Sequence, residues 1–193
     1  MPRSGEQARL RLRAAALELY GERGYETTTT AQIAERAEVS ERTFFRHFAD
    51  KREVLFDGEV ELITTMTSAI EAAPTGLGPL SLVVTAYDAA VPLLVANRPV
   101  AEQRAQVIAT TSALQERAHA KAAALLEAVT TAVVARGVPR PTARLAAQVG
   151  AAVFDRASQM WTDEPGQDLH ELLTAATTEA RQLARGSIQR PST

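Results

Sequence analysis

Between Thr29 and Lys51 the chain gathers hydroxyls, guanidinium groups, an imidazole and an ammonium: Thr29, Thr30, Arg42, Thr43, Arg46, His47 and Lys51. Side chains of this kind donate hydrogen bonds and carry positive charge, which suits recognition of an anion better than bond-breaking chemistry. Arg42 can take a guanine edge bidentately, and the Thr43 side chain can touch a thymine methyl or a phosphate. A second pattern, Glu116-x-x-His119, has the spacing found in helical di-iron sites. Such a site needs two such pairs and two further carboxylates. His47 and His170, the other histidines, have no Glu three residues before them, so the pair reads as an exposed helical contact. His170 reads as a surface or interface residue. There is no cysteine, which removes thiolate zinc sites, disulfides and cysteine nucleophiles. No nucleophile elbow, phosphate loop or zinc helix is present either. The expectation is a protein that is not an enzyme and uses no cofactor or metal.

The elements that must carry the donor cluster are short helices. Leu12, Ala15, Ala16, Leu19 and Tyr20 form one apolar stripe of a first helix, about Glu6 to Arg23, closed by Gly24 with Tyr25 folding back on it. Arg9, Arg11 and Arg13 lie toward its N-terminus, against the helix dipole; either solvent screens them or they await an anion. Thr29 with Gln32 makes a capping box for a second helix carrying Ile33, Ala34 and Ala37. Glu38-Val39 turns the chain, and Ser40 caps a third helix, Glu41 to Phe48. If Phe44 and Phe48 close the core, then Glu41, Arg42, Phe45 and Arg46 turn outward with His47 at the edge. This is a helix-turn-helix, whose second helix can lie in a major groove with Thr29, Thr30, His47 and Lys51 holding phosphates. Asp50 with Glu53 opens a fourth helix expected to run to Ala72.

Composition agrees with an all-α fold of about nine helices. The chain has 193 residues, 46% hydrophobic and only 5% aromatic, with alanine dominant. Its net charge of −2 excludes a generally basic surface, so a nucleic-acid reading rests on where the cations sit. The longest apolar run, Leu80 to Ala96, is broken by Asp88 and Pro92 and falls short of a membrane span of about 20 residues. With no signal segment at the start, a soluble, cytoplasmic protein is expected.

The stretch from Leu17 to Leu55 resembles the DNA-binding region of the TetR family of bacterial transcriptional regulators. The family pattern is an apolar helix ending in Gly-Tyr, a Thr-rich start, I-A-x-x-A-G-V-S, and a short helix ending in Tyr/Phe-x-His-Phe before Lys. Ile33, Ala34, Ala37, Val39, Ser40, Thr43, Phe44, His47, Phe48 and Lys51 stand in matching places. Two positions depart from it. Glu38 replaces the usual turn glycine, which strains the backbone if φ is positive there. Phe45 stands where tyrosine is common, so a phosphate-seeking hydroxyl is missing, although the ring can still pack on sugar or thymine methyls.

The division expected is an HTH domain, 1–53, a helical ligand-binding and dimerisation domain, 54–185, and a flexible tail, 186–193. Breaks are expected at Pro74 to Pro79, at Asn97-Arg98-Pro99, at Thr110 to Ser112, at Gly137 to Pro141 and at Asp163 to Gln167. The resemblance implies a homodimer, formed here by the last two helices through Val153, Trp161, Leu169, Leu172, Leu173, Ala176 and Leu183. It also implies a small-molecule effector pocket, for which Met66, Tyr87, Val91, Gln106, Phe154, Ser158 and Met160 are the candidates. The function expected is a ligand-released repressor that binds an inverted-repeat operator in double-stranded DNA, with no membrane partner. The alternative is a helical partner-binding protein that retains the HTH shape without specific DNA binding.

Overall fold

The computed structural model describes residues 3–164 and 166–186 and divides them into two compact units. The first holds residues up to Glu59 together with Asn97–Lys121; the second holds Val60–Ala96 and the residues from Ala122 on. Among the described residues there are eight α-helices, one short 3-10 segment and no strand.

In the first unit, α1 (Arg3–Arg23) buries Leu12, Ala15, Ala16, Leu19 and Tyr20, the stripe that its periodicity marks. It stops at Gly24, whose φ of +84° needs no Cβ to be accommodated and whose N–H bonds Tyr20 O at 3.0 Å. α2 (Thr30–Arg36) starts on the Thr29–Gln32 capping box, and α3 (Glu41–His47) on Ser40, which accepts from Thr43 N at 3.2 Å. Ile33, Ala34, Ala37, Phe44 and Phe48 close on the α1 stripe. Arg36 ties α2 to α1 through a bidentate pair with Glu22 at 3.0 Å and a bond to Glu18 at 3.2 Å.

The expected fourth helix starts later than its sequence suggests. Asp50 does accept from the backbone of Arg52 and Glu53, at 2.8 and 3.1 Å, but the turn it opens is the 3-10 segment Glu53–Phe56. Val54, Leu55 and Phe56 are all buried. Three consecutive apolar residues cannot share one face of an α-helix, so the chain tightens and then breaks at Gly58, φ +87°. α4 (Glu59–Ala72) begins beyond that break.

A second correction concerns Asn97-Arg98-Pro99. No helix boundary falls there: α5 runs unbroken from Pro79 to Ala109. Each internal proline costs about 3 kcal/mol in an isolated helix. Tertiary burial on both sides offsets this, with Leu82, Val83, Ala86, Tyr87, Ala90 and Val91 in one core and Val107 in the other. The same continuity gives Pro79–Arg98 the length and mean hydropathy of a membrane span, as has Ser112–Ala135 within α6 (Ser112–Ala135). Both helices contribute residues to the buried cores, while most of each apolar stretch is not buried.

The second unit is completed by α7 (Arg140–Asp163) and α8 (Leu169–Ala184), the latter capped by Asp168. α7 approaches α5 at Gly150, where an added Cβ would lie 2.3 Å from Val83 Cγ1 and 3.2 Å from Val83 Cβ. Ala is normally better than Gly inside a helix by about 1 kcal/mol. Here the sign reverses: Gly150→Ala should destabilise by about 1–3 kcal/mol through overpacking. Urea unfolding of Gly150→Ala, Val83→Ala and the double variant checks this, since the pair should cost less than the two singles added. Arg136 caps the neighbouring loop, donating to the carbonyls of Glu71, Ala73 and Pro74 at 2.8, 2.8 and 3.1 Å. Of the tail expected over 186–193, all but Gly186 lies outside the described residues.

Candidate nucleic-acid interface

The α2–α3 turn is a Schellman closure, with Val39 N bonding Ala34 O at 2.9 Å and Glu38 N bonding Glu35 O at 3.0 Å. Its left-handed position is Glu38, φ +54°, the strain that the missing glycine implies. An L side chain there costs about 1–2 kcal/mol, while glycine costs roughly 0.5–1 in chain entropy. The Arg11–Glu38 pair, 3.8 Å apart with the Glu38 side chain 86% exposed, adds little against this. Glu38→Gly should therefore stabilise by about 0.5–1 kcal/mol, seen as a higher urea midpoint with an unchanged slope.

Phe44 and Phe48 are buried with ring centroids 5.8 Å apart, and this fixes the rotation of α3 about its axis. Glu41, Arg42, Phe45 and Arg46 consequently face outward as one surface, Phe45 being 54% exposed. Thr29 is exposed at the start of α2. Thr30 beside it donates to Glu41 Oε1 at 2.6 Å, which draws that carboxylate toward the α2 N-terminus. Thr43 is half-buried, its hydroxyl 2.9 Å from that of Ser40.

Two residues expected at phosphates are turned inward. His47 is half-buried, and its Nε2 is enclosed without a hydrogen-bond partner among the described residues. Burial, with Arg46 and Arg9 nearby, holds its pKa below the usual imidazole range, against a smaller opposite pull from Asp57. Lys51 Nζ donates to three carbonyls, Tyr25 O at 2.8 Å, Thr28 O at 2.9 Å and Glu26 O at 3.2 Å, and lies 4.3 Å from the Tyr25 ring centre. Tyr20 completes the clasp, donating from its hydroxyl to Lys51 O at 2.6 Å. Burial pushes the Tyr20 pKa far up, so that hydroxyl stays a donor. The loop between α1 and α2, and with it the Thr-rich start of α2, is thereby held to the segment after α3.

The α1 arginines have an anion within the chain. Asp57, almost enclosed, pairs with Arg9 and lies 3.6 Å from Arg13, whose Nη2 also donates to Asn97 Oδ1 at 2.9 Å. Asp57 is a structural partner that the sequence does not announce; Arg9 and Arg13, four apart on one helix face, are the signal that a shared anion exists. Glu53 and Glu59 serve Arg117 in the same way, at 2.9 and 2.6 Å.

The remaining candidates separate. Met66, Tyr87 and Val91 are buried in the second unit, where Phe154 stacks on Tyr87 at 4.7 Å and 12°. Met160 is packed against that core and Ser158 is half-buried. Burial pushes the Tyr87 pKa up to about 12. Gln106 does not join them: the unbroken α5 carries it into the first unit, exposed. The residues expected at the interface also separate. Val153, Leu169, Leu172, Leu173 and Ala176 are buried within the second unit, because the stripes of α7 and α8 face each other and the core. Trp161 is half-buried, and Leu183 is exposed, as are Leu145 and Val149 on α7. Glu116 and His119 are exposed on α6, and His170 bonds Asp88 at 2.5 Å on the surface.

Residues 12–57 match the family model of bacterial regulatory proteins, tetR family. Over 74 residues the chain is 46% identical to the HTH-type transcriptional regulator TcmR of Streptomyces glaucescens, covering 38% of this chain and 33% of that one. The match thus spans about a third of that relative's length. Among solved structures, the transcriptional regulator FadR from Bacillus subtilis in complex with stearoyl-CoA aligns with a TM-score of 0.61 at 18% identity, over 93% of this chain and 99% of that one. The fatty acid degradation regulator FadR from Bacillus halodurans gives 0.59 at 16%, over 89% and 93%. Identities this low establish a shared fold and leave the ligand open.

Proposed function

We propose, from the match of residues 12–57 to the family model of bacterial regulatory proteins, tetR family, that the chain belongs to that family and is a dimeric, sequence-specific DNA-binding repressor working in the cytoplasm. The observation that carries this reading is the rigid outward face of α3, on which Arg42, Phe45 and Arg46 stand clear because Phe44 and Phe48 are locked in the core. Lying in the major groove, Arg42 takes a guanine edge, Glu41 accepts from a cytosine amine, and Phe45 lies on a thymine methyl or sugar. Arg46 and the start of α2, where Thr29 is exposed and Thr30 half-buried, meet phosphates.

One such helix reads few base pairs, so two copies on an inverted repeat are required. The surfaces that suit a second copy are the outer faces of α7 and α8, with Leu145, Val149 and Leu183. For an effector we propose the neighbourhood of the Tyr87–Phe154 stack, with Met66 and Val91, whose side chains suit an apolar or amphipathic molecule. Such an effector releases DNA only if it binds the low-affinity state of the dimer more tightly.

Arg42→Ala tests the central contact. Binding to the selected repeat should weaken by about 1–3 kcal/mol per half-site, and the variant should no longer distinguish the base that Arg42 reads. Equilibrium binding to the repeat and its single-base variants measures both. An Arg42→Ala protein with intact base preference would remove Arg42 from the reading surface.

A further inference from the structure

The two helices of the helix-turn-helix are joined outside their core by a side-chain pair that the packing does not require. Thr30, the first residue of α2, donates from its hydroxyl to Oε1 of Glu41, the first residue of α3, at 2.6 Å. Local bonds fix the backbone at both ends of this bridge. The capping box sets the start of α2, with Thr29 N donating to Gln32 Oε1 at 3.0 Å and Gln32 N to Thr29 Oγ1 at 3.2 Å. Ser40 sets the start of α3, accepting from Thr43 N at 3.2 Å with its hydroxyl 2.9 Å from that of Thr43. Ile33, Ala34, Phe44 and Phe48 already hold both helices in the core, whereas Glu41 is exposed. The pair therefore places a carboxylate on the outer surface without being needed to hold the helices.

A hydroxyl donating to a carboxylate at 2.6 Å makes a charge-assisted bond, stronger than a neutral one. It restrains a long side chain that otherwise keeps its rotamer freedom at the surface. A loose carboxylate facing a duplex swings away from the phosphates and discriminates little. A held one loses water as the duplex closes on it, and its second oxygen must then find a donor. In the major groove the amines of cytosine and adenine are the donors, while guanine O6 and thymine O4 are acceptors that repel it. Adenine also sets its acceptor N7 beside the amine, so cytosine fits best. Selection by repulsion works only if the repelling group cannot move aside. We infer that Thr30 is a positioning residue for base recognition: it holds Glu41 so that the carboxylate accepts from a cytosine amine and excludes the other bases at that position. This role rests on α3 being the surface that meets DNA. The Thr30 hydroxyl proton is spent on Glu41, which leaves Thr29 to donate to a phosphate.

The test is equilibrium DNA binding by the full chain and by Thr30→Val, Thr30→Ala, Thr30→Ser, Glu41→Ala and the double variant Thr30→Val/Glu41→Ala. Each is measured on the repeat selected by the unaltered chain and on its versions carrying every other base pair along the half-site. Thermal unfolding without DNA shows that each variant is folded at the temperature used. Thr30→Val and Thr30→Ala should lose about tenfold in discrimination at one base pair, and Glu41→Ala should lose it at the same pair. The double variant should lose no more than Glu41→Ala alone, because Thr30 acts through Glu41. Thr30→Ser, which keeps the hydroxyl, should discriminate as the unaltered chain does. The slope of log affinity against log salt should be the same for Thr30→Val as for the unaltered chain. A Thr30→Val protein that binds all sequences more weakly, with a smaller slope, would put the hydroxyl on a phosphate and overturn the inference. Losses at different base pairs, or losses that add, would also overturn it. An unaltered chain with no base preference would overturn the DNA-binding reading and the role of Thr30 together; intact preference in Thr30→Val would overturn the role of Thr30 alone.

Discussion

Replacing Phe44 by alanine should destabilise the first unit by about 3–5 kcal/mol, the range for deleting a buried aromatic ring. Phe44 is 0% exposed and contacts the rings of Phe45 and Phe48 at 5.4 and 5.8 Å. α3 has seven residues, too few to hold a helix by itself, so the ring supplies what local hydrogen bonds do not. A loss of that size is a large part of the stability of an ordinary domain, about 5–15 kcal/mol. The reading face should go with it: specific DNA binding should fail at temperatures where Phe44→Leu, which keeps most of the volume, still binds. Urea unfolding measured on both variants checks the order. A Phe44→Ala protein of near-normal stability would mean that α3 is held by something other than this core.

Lys51→Met should cost about 2–4 kcal/mol, because it leaves the carbonyls of Tyr25, Glu26 and Thr28 without the charged donor that now satisfies them. The methionine keeps most of the apolar stem, so the loss reports the ammonium itself. The consequence for DNA separates two roles. An ammonium on a phosphate releases a counterion, and its removal lowers the slope of log affinity against log salt by about one per contact. An ammonium engaged within the chain changes that slope little. Lys51→Met, studied well below its Tm, should therefore keep the salt slope of the unaltered protein. A slope reduced by about one per subunit would instead place Lys51 on the DNA backbone.

Much of the α3 surface was legible in the sequence because the rules that build it are local. Thr29 with Gln32, Ser40 before Glu41, and Gly24 after Arg23 declare helix ends within a few residues, and each end is found where its cap stands. The spacing of Phe44 and Phe48 settles which way Arg42 and Arg46 turn. Glu38 in a glycine's place signals strain, and its φ of +54° bears this out.

What the sequence hid depends on distant partners. Pro99 follows local rules in marking a helix end, but α5 continues through it because cores on both sides hold the helix together. Once α5 continues, Gln106 falls in the first unit, whereas the other pocket candidates fall in the second. The α8 stripe of Leu169, Leu172, Leu173 and Ala176 announces burial without saying against what, and the answer is its own unit. Lys51 was readable as a cation and not as a clasp, since the carbonyls it meets lie more than twenty residues earlier.

The central claim is that the α3 surface reads DNA sequence. Its most direct test is selection of genomic fragments by the purified protein at one fixed, near-physiological salt concentration, followed by sequencing and by sizing of the complexes. The account predicts enrichment of one inverted repeat, bound by two copies of the chain, with affinity falling log-linearly as salt rises. A folded protein that enriches no sequence would contradict it, and the helix-turn-helix would then be a scaffold for meeting another protein.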